Sequence, residues 1–218
     1  MKKYLTLLAI AFIVLGHPVS SLAGQGGRQA AQEVNEVSLD ELSTVEIEYL
    51  TFMREEEKLA RDVYLTFFDK WGLPIFENIA ASEQSHTDAV ANMLDKYRLT
   101  DPVVDDTVGA FVNQELADLY AVLIEQGSGE DSTSLKALYV GALIEEVDME
   151  DIQHAIDATD NEDIVELYNT LMSGSRNHLR AYVGLIEDQG LVYEAQVLTQ
   201  DEVDAILDSE MERGGRRR

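Results

Sequence analysis

Residues 79–97, IAASEQSHTDAVANMLDKY, decide the fold, because apolar residues recur along them at the spacing of one helix face. The residues on that face are Ile79, Glu83, His86, Val90, Met93 and Tyr97. Glu83 and His86 interrupt the apolar stripe, and their separation of three residues places both side chains on one side of a helix. A polar group without a partner in a core costs roughly 2–7 kcal/mol. Glu83 therefore needs a cation or a hydrogen-bond donor.

The rest of the chain repeats this helical periodicity, and alternation typical of strands is scarce. Possible capping boxes stand at residues 43–46, 159–162 and 199–202, and Pro74 suits the first turn of a helix. The pattern predicts an all-α fold, a four-helix bundle with an extra crossover helix and a short C-terminal helix. The predicted helices span residues 43–70, 74–98, 111–126, 132–157, 159–190 and a short segment from 199 onward.

The other three long predicted helices carry the same kind of interruption. In the first, Glu57 interrupts the stripe, and Glu56 on the adjacent apolar stripe is an alternative for the same role. In the helix over 132–157 the interrupting residue is Glu145, with Glu146 one step around the helix as its alternative. In the last long helix, His178 stands in the middle of the apolar face. Each of the four helices thus brings an ionisable residue to the core near its mid-length.

A metal site explains these four coincidences together. A single core histidine is more often a hydrogen-bonded structural group, and a single core acid is more often a misjudged surface position. Four at similar depth favour a shared site for one or two metal ions per chain. Carboxylate oxygens and imidazole nitrogens suit iron, manganese or zinc. The candidate ligands are Glu57, Glu83, His86, Glu145, Glu146 and His178.

Composition excludes several other kinds of site. The formal net charge of −26 repels nucleic-acid phosphates, so we expect no nucleic-acid partner. The chain has no cysteine, which excludes disulfides and thiolate metal sites. We find no glycine-rich phosphate loop and no nucleophile elbow. His154 lies off the core stripe of its helix and is expected to be exposed.

The two ends of the chain differ from its middle. Residues 1–23 combine two lysines, an apolar run and a small-residue motif before Gly24, which predicts a signal peptide. Residues 24–37 read as a flexible leader, 38–190 as the helical domain, and 191–218 as a short helix with a basic tail. The expected location is periplasmic or secreted, without membrane attachment once the signal is removed.

Three segments carry a resemblance to a known family. They are residues 53–64 (MREEEKLARDVY), 78–86 (NIAASEQSH) and 174–180 (GSRNHLR). In these motifs, and across residues 45–188, the chain resembles an uncharacterised family of bacterial and archaeal ferritin-like proteins, catalogued as a domain of unknown function. The resemblance to the wider ferritin and rubrerythrin superfamily implies a ferritin-like four-helix bundle with a di-iron or di-manganese site between its helices.

The resemblance also assigns site residues. Glu57, with Tyr64, matches the acid of the first helix, Glu83 and His86 match the second, and Glu145 or Glu146 matches the third. His178 matches the fourth helix, but Ser175 stands where the superfamily pattern has a second glutamate. Another acid replaces that glutamate, with Glu56, Glu146 and Asp148 as the options, or one metal ion is bound more weakly.

These observations predict an exported metal-binding protein with iron as the first metal to test. An oxidoreductase that reacts iron with oxygen or peroxide is the enzyme class that the resemblance implies. The alternative is a metal-free structural or interaction bundle, and metal content after aerobic purification separates the two. A storage cage is disfavoured by the crossover helix and the C-terminal appendage. A homodimer is the oligomer to test.

Overall fold

The computed structural model of the protein describes residues 42–212, and within them the chain is all α-helical with no strand. The predicted signal peptide, the leader and the tail at 213–218 lie outside the described residues. The helices are α1 (Thr44–Trp71), α2 (Pro74–Lys96), α3 (Gln114–Ser128), α4 (Ser134–Asp157), α5 (Glu162–Glu187) and α6 (Gln200–Asp208). Each begins and ends within a few residues of its predicted bounds.

Local sequence sets these boundaries. Ser43 and Glu46 form the predicted capping box of α1, and α1 ends at Gly72, whose φ of 64° suits a residue without a Cβ. Thr199 and Glu202 form a capping box at α6. The capping box predicted at 159–162 is wrong. The Thr159 hydroxyl donates to the Glu46 carboxylate and accepts the Asn161 N–H, and Asn161 precedes α5 without a side-chain cap.

The four long helices enclose a common core. α1 packs along α2 and α4 packs along α5, while α1 also contacts α4 and α2 contacts α5. An aromatic cluster fills one level of this core, with neighbouring ring centroids 5.4–6.5 Å apart. Its members are Tyr64, Phe67, Phe76 and Tyr182. Side chains projecting inward from mid-length of these helices therefore reach the same interior.

The crossover between α2 and α4 covers the remaining side of α1, so that residues 52–64 are all buried. Buried charges hold the crossover in place. Lys58 pairs with Asp62 at 2.6 Å and donates to the Thr107 carbonyl, and Asp62 accepts the Gly109 N–H. Glu55 is buried and accepts the backbone N–H groups of residues 112 and 113.

The chain beyond α5 returns along the α4–α5 pair. Tyr193 is buried and donates its hydroxyl to Glu146 at 2.6 Å. At the far end, Arg176 and Arg180 both bind the Glu212 carboxylate. No helix between residues 42 and 212 is both long and apolar enough to cross a membrane.

Candidate metal centre

Five of the six candidate ligands meet in the interior of the four long helices. Glu57 comes from α1, Glu83 and His86 from α2, Glu145 from α4 and His178 from α5. None is more than 8% exposed. The helical stripes therefore bring together the residues that the sequence pattern selected, with Glu57 rather than Glu56 and Glu145 rather than Glu146 in the cluster.

Glu83 lies at the centre of this cluster. Its Oε2 lies 2.7 Å from Nδ1 of His86, and its Oε1 lies 2.7 Å from Nδ1 of His178. Glu57 Oε2 is 3.2 Å from the same nitrogen of His86, and Glu145 Oε2 is 3.3 Å from that of His178. The two imidazole rings stack with centroids 5.6 Å apart. Glu83 is thus shared by two similar halves, one from each helix pair.

Each half offers three possible ligand atoms for a metal ion. The ligand atoms of Glu57, Glu83 and His86 lie within 4.8 Å of one another, and so do those of Glu83, Glu145 and His178. A carboxylate that belongs to both sets is in the position of a bridging ligand. The arrangement can hold one ion, or two ions on either side of Glu83.

Electrostatics in the cluster reflect burial and the contacts between acids and imidazoles. Burial raises the pKa of Glu57 to about 7, with His86 opposing the shift and Glu83 adding to it. Burial also acts to raise the pKa of Glu83, but the two histidines outweigh it and hold that pKa below its usual range. Burial lowers the pKa of His178, yet Glu83 and Glu145 outweigh burial and raise it to about 10. The two imidazoles thus favour the ionised form of Glu83, and the neighbouring acids favour the protonated form of both imidazoles.

Neighbouring residues fix the ligands in these positions. Tyr64 donates its hydroxyl to Glu145 Oε1 at 2.5 Å, and Ser82 Oγ lies 2.9 Å from Nε2 of His178. Gly174 on α5 leaves room for His86, because a Cβ at residue 174 would lie 2.4 Å from two atoms of that ring. Contacts of this kind commonly orient metal ligands. The apolar stripes do not reveal this role of Gly174, although a glycine within an otherwise good helix is a sign of close packing.

Glu146 does not join this cluster. Its carboxylate turns toward the returning C-terminal segment and accepts the Tyr193 hydroxyl and the backbone N–H groups of Gln196, Val197 and Leu198. These hydrogen bonds stabilise the charge of the buried carboxylate without a cation. In this structure Glu146 binds the C-terminal segment and lies outside the cluster around Glu83.

Asp148 is the acid next to the position where Ser175 departs from the superfamily pattern. Ser175 donates its hydroxyl to Asp148, which is buried. Burial raises the pKa of Asp148, and the nearby charges of Glu57, Glu145 and Glu83 raise it further. The spacing of three from Glu145 is the sequence sign that places it on the same face. Of the acids proposed to replace the missing glutamate, Asp148 is the one that Ser175 contacts.

Several other polar residues lie outside the cluster around Glu83. Glu56 is buried beside Asp151 and Asp148 rather than at Glu83. His154 is exposed, as predicted, with 59% of its side chain accessible. Arg176 pairs with Glu212. Asp151 was not identified from the sequence, because one acid in an acidic helix end carries no distinguishing pattern.

Comparisons with known proteins match most of the chain. The family described as "Uncharacterized protein domain (DUF2202)" matches residues 46–210. An uncharacterized protein of Methanocaldococcus jannaschii, MJ0754, is 49% identical over 173 residues, covering 79% of this chain and 92% of the relative. The crystal structure of that hypothetical protein superimposes with a TM-score of 0.75 at 44% identity, covering 88% of this chain and all of the other.

Proposed function

This chain belongs to the DUF2202 family, and we propose that it binds one or two metal ions between its four long helices. The observation that carries the proposal is the position of Glu83, a buried carboxylate that faces one imidazole with each of its oxygens. On the outer side of each imidazole stands a further glutamate, Glu57 or Glu145. A bridging acid between two such pairs is the donor geometry that a two-metal centre needs.

The residues present fit such a centre. Three carboxylates and two imidazoles are the donors that iron, manganese and zinc accept in proteins. Within the described residues, Glu57 Oε1 is buried and has no hydrogen-bond partner, which leaves one oxygen free to bind an ion. Glu57 and His86 would hold one ion and Glu145 and His178 the other, with Glu83 between them. Asp148 is the additional acid available to this set.

Protons must leave the centre when an ion binds. Nδ1 of both histidines faces a carboxylate, and the acids raise the pKa of both imidazoles. Since a metal ligand must be the neutral imidazole, binding releases these protons and is favoured as the pH rises. Tyr64 and Ser82 keep Glu145 and His178 in place during this exchange.

The arrangement of the helices supports the resemblance to ferritin-like proteins. α1 packs with α2, α4 packs with α5, and a long crossover joins the two pairs. Ferritin-like bundles connect their helices in the same way. We therefore propose a ferritin-like bundle for this fold. A pair of iron ions in such a centre supplies one-electron redox chemistry toward oxygen or peroxide, which makes an oxidoreductase the enzyme class to test.

A specific contact favours a second candidate function. In the absence of metal, Glu83 is fully matched by two imidazoles at 2.7 Å, so the cluster can serve as a buried ion-pair network. The protein would then be a structural or interaction module. Export is a separate part of the proposal and rests on residues 1–23, which would deliver the protein to the periplasm or the medium.

Metal analysis of purified protein tests the proposal. Protein purified aerobically and assayed by inductively coupled plasma mass spectrometry is expected to hold one or two equivalents of metal, with iron first. His86→Ala should remove most of it, while the matched control His154→Ala, on an exposed histidine, should keep the wild-type content. Metal-free wild-type protein that takes up no iron, manganese or zinc would support the ion-pair module instead.

A further inference from the structure

A second group of acids lies beside the proposed centre, between α1 and α4. Glu56 on α1 meets Asp148 and Asp151, which are three residues apart and so on one face of α4. Glu56 and Asp148 are each 6% exposed. Glu56 and Asp151 lie close enough together for each carboxyl to shift the pKa of the other. This group, called the acid row below, takes no part in binding Glu83.

The charged groups that act most strongly on the inner members of the acid row, Glu56 and Asp148, are acids. The charged groups that act most strongly on Glu56 are Asp151, Asp148 and Glu57, all acidic. Within the described residues, Glu56 Oε2 is buried and has no hydrogen-bond partner. The buried acids Glu55, Asp62 and Glu146 differ from Glu56, because each has a donor. Backbone N–H groups bind Glu55 and Glu146, and Lys58 pairs with Asp62. A carboxylate pair in contact requires a shared proton or a cation between its oxygens.

The acid row also runs from the surface to the centre. Asp151 is 23% exposed by its side chain and lies 3.9 Å from the exposed His154. Glu56, next inward, is followed in the chain by Glu57, a member of the centre. Asp148 is close to Glu57, Glu145 and Glu83. Asp151 is thus the solvent-facing member of the acid row, and Glu56 is the buried member beside it.

We propose that Glu56 and Asp151 form a transit site that binds a divalent cation and passes it to the centre through Asp148. The proposal rests on the proposed function, because it assumes a metal centre to be filled. Oxygen-only donors suit a hard divalent ion, and so few carboxylates leave the rest of its coordination to water. An ion bound in this way is held weakly enough to move on. The many surface acids of the chain would raise the local cation concentration at Asp151.

Loading kinetics test the transit site separately from the centre. Co²⁺ is mixed with the metal-free full-length protein in a stopped-flow instrument, and the visible absorption of bound Co²⁺ gives the rate and the final stoichiometry. Glu56→Gln and Asp151→Asn are expected to slow loading at least about tenfold, because they remove the charges that line the route. Both variants should reach the wild-type final stoichiometry. Circular dichroism confirms that each variant is folded.

Glu150→Gln is the matched control. Glu150 is exposed, neighbours Asp151 on the same helix and carries the same charge, but it does not belong to the acid row. Its loading rate should stay within about twofold of wild type, as expected for a single exposed charge in salt. Equal loading rates in Glu56→Gln, Asp151→Asn and wild type would overturn the transit site and leave Glu56 sharing a proton with Asp151. A lower final stoichiometry in Glu56→Gln would also overturn it, by making Glu56 a ligand of the centre. Failure of wild-type protein to bind Co²⁺ would instead overturn the proposed centre.

Discussion

The proposed metal centre depends on Gly174, which leaves space for the His86 ring, as well as on the residues that would bind the metal. A Cβ on residue 174 would lie 2.4 Å from Cε1 and Nε2 of His86, which is too close without movement. Gly174→Ala should therefore displace the His86 ring and weaken metal binding roughly 10- to 100-fold, as loss of ligand support commonly does. Isothermal titration with Zn²⁺ measures the change.

Gly184→Ala provides the control for this prediction. Gly184 lies on the same helix, and nothing is within 4 Å of a Cβ placed there. This substitution should stabilise the protein by about 0.5–1 kcal/mol through helix propensity and leave metal affinity unchanged. Equal metal affinity in the two variants would show that the position of His86 does not depend on Gly174.

Single residues also mark the limit of what the sequence could predict. Helical periodicity was sufficient to select Glu83, His86 and His178, because an acid or imidazole in an apolar stripe is a strong departure from pattern, but it left Glu56 and Glu57 as alternatives on α1. It could not choose between Glu145 and Glu146. Adjacent residues on α4 point about 100° apart, and both directions are buried here, one by the bundle and one by the C-terminal segment.

Among the helices, α1 carries a group of buried charges that its apolar stripe does not predict. Its middle contains Arg54, Lys58, Arg61 and Asp62, which the sequence alone would place in solvent, yet all four are buried. The reason is tertiary. The crossover over residues 97–113 supplies polar partners for these charges, including the Thr107 carbonyl for Lys58 and Asp106 for Arg61. A single sequence does not show which loop will cover a charged face.

Glu146 connects α4 to the returning C-terminal segment, and its removal should loosen that segment alone. Four donors bind its carboxylate, from the Tyr193 side chain and the backbone of residues 196–198. Glu146→Gln should cost about 1–3 kcal/mol of unfolding free energy, since buried donors lose a charged acceptor. Hydrogen exchange followed by mass spectrometry should show faster exchange over residues 193–198.

Metal content distinguishes two roles for Glu146: binding the C-terminal segment, or binding a metal ion as the sequence also allowed. Glu146→Gln should retain the wild-type metal content, whereas Glu145→Gln should lower it. Loss of metal in Glu146→Gln, with exchange at residues 193–198 unchanged, would return Glu146 to the centre.

The far end of the same segment is held by a pH-dependent contact. Hydrogen bonding from Arg176 lowers the pKa of Glu212 to about 2, against 4.5 for an ordinary glutamate. A lowered folded-state pKa stabilises the protein above pH 4.5, and this contribution disappears as the pH falls from 4.5 to about 2. Because the contact is partly exposed, it should contribute no more than about 1 kcal/mol.

Urea unfolding of wild type and Glu212→Gln measures that contribution. At pH 7 the variant should be less stable than wild type, and the difference should shrink between pH 4.5 and pH 3. A difference that stays constant over this range would mean that the charge of Glu212 does not stabilise the fold.

For the whole molecule, the helix count and order within residues 42–212 followed from periodicity and caps, because long segments with few prolines leave little alternative. How the crossover and the C-terminal segment pack could not be predicted, because both depend on long-range hydrogen bonds such as those of Glu55 and Glu146. The sequence therefore predicted the helices and their inward faces better than it predicted what covers the outward faces.

Export is a prediction from residues 1–23, which lie outside the described residues. If residues 1–23 are a signal peptide, protein isolated from the native host should begin at Gly24. Intact-mass spectrometry of the extracytoplasmic fraction measures the N-terminus. Protein that retains Met1 in the cytoplasm or in membranes would refute export.

The most direct test of the metal centre is anomalous diffraction from crystals grown with Fe²⁺, recorded above and below the iron absorption edge. We predict one or two anomalous peaks between α1, α2, α4 and α5, each adjacent to the Glu83 carboxylate, with Glu57 and His86 on one side and Glu145 and His178 on the other. A crystal of folded protein with no peak at Glu83, or with iron bound only elsewhere, would contradict the account.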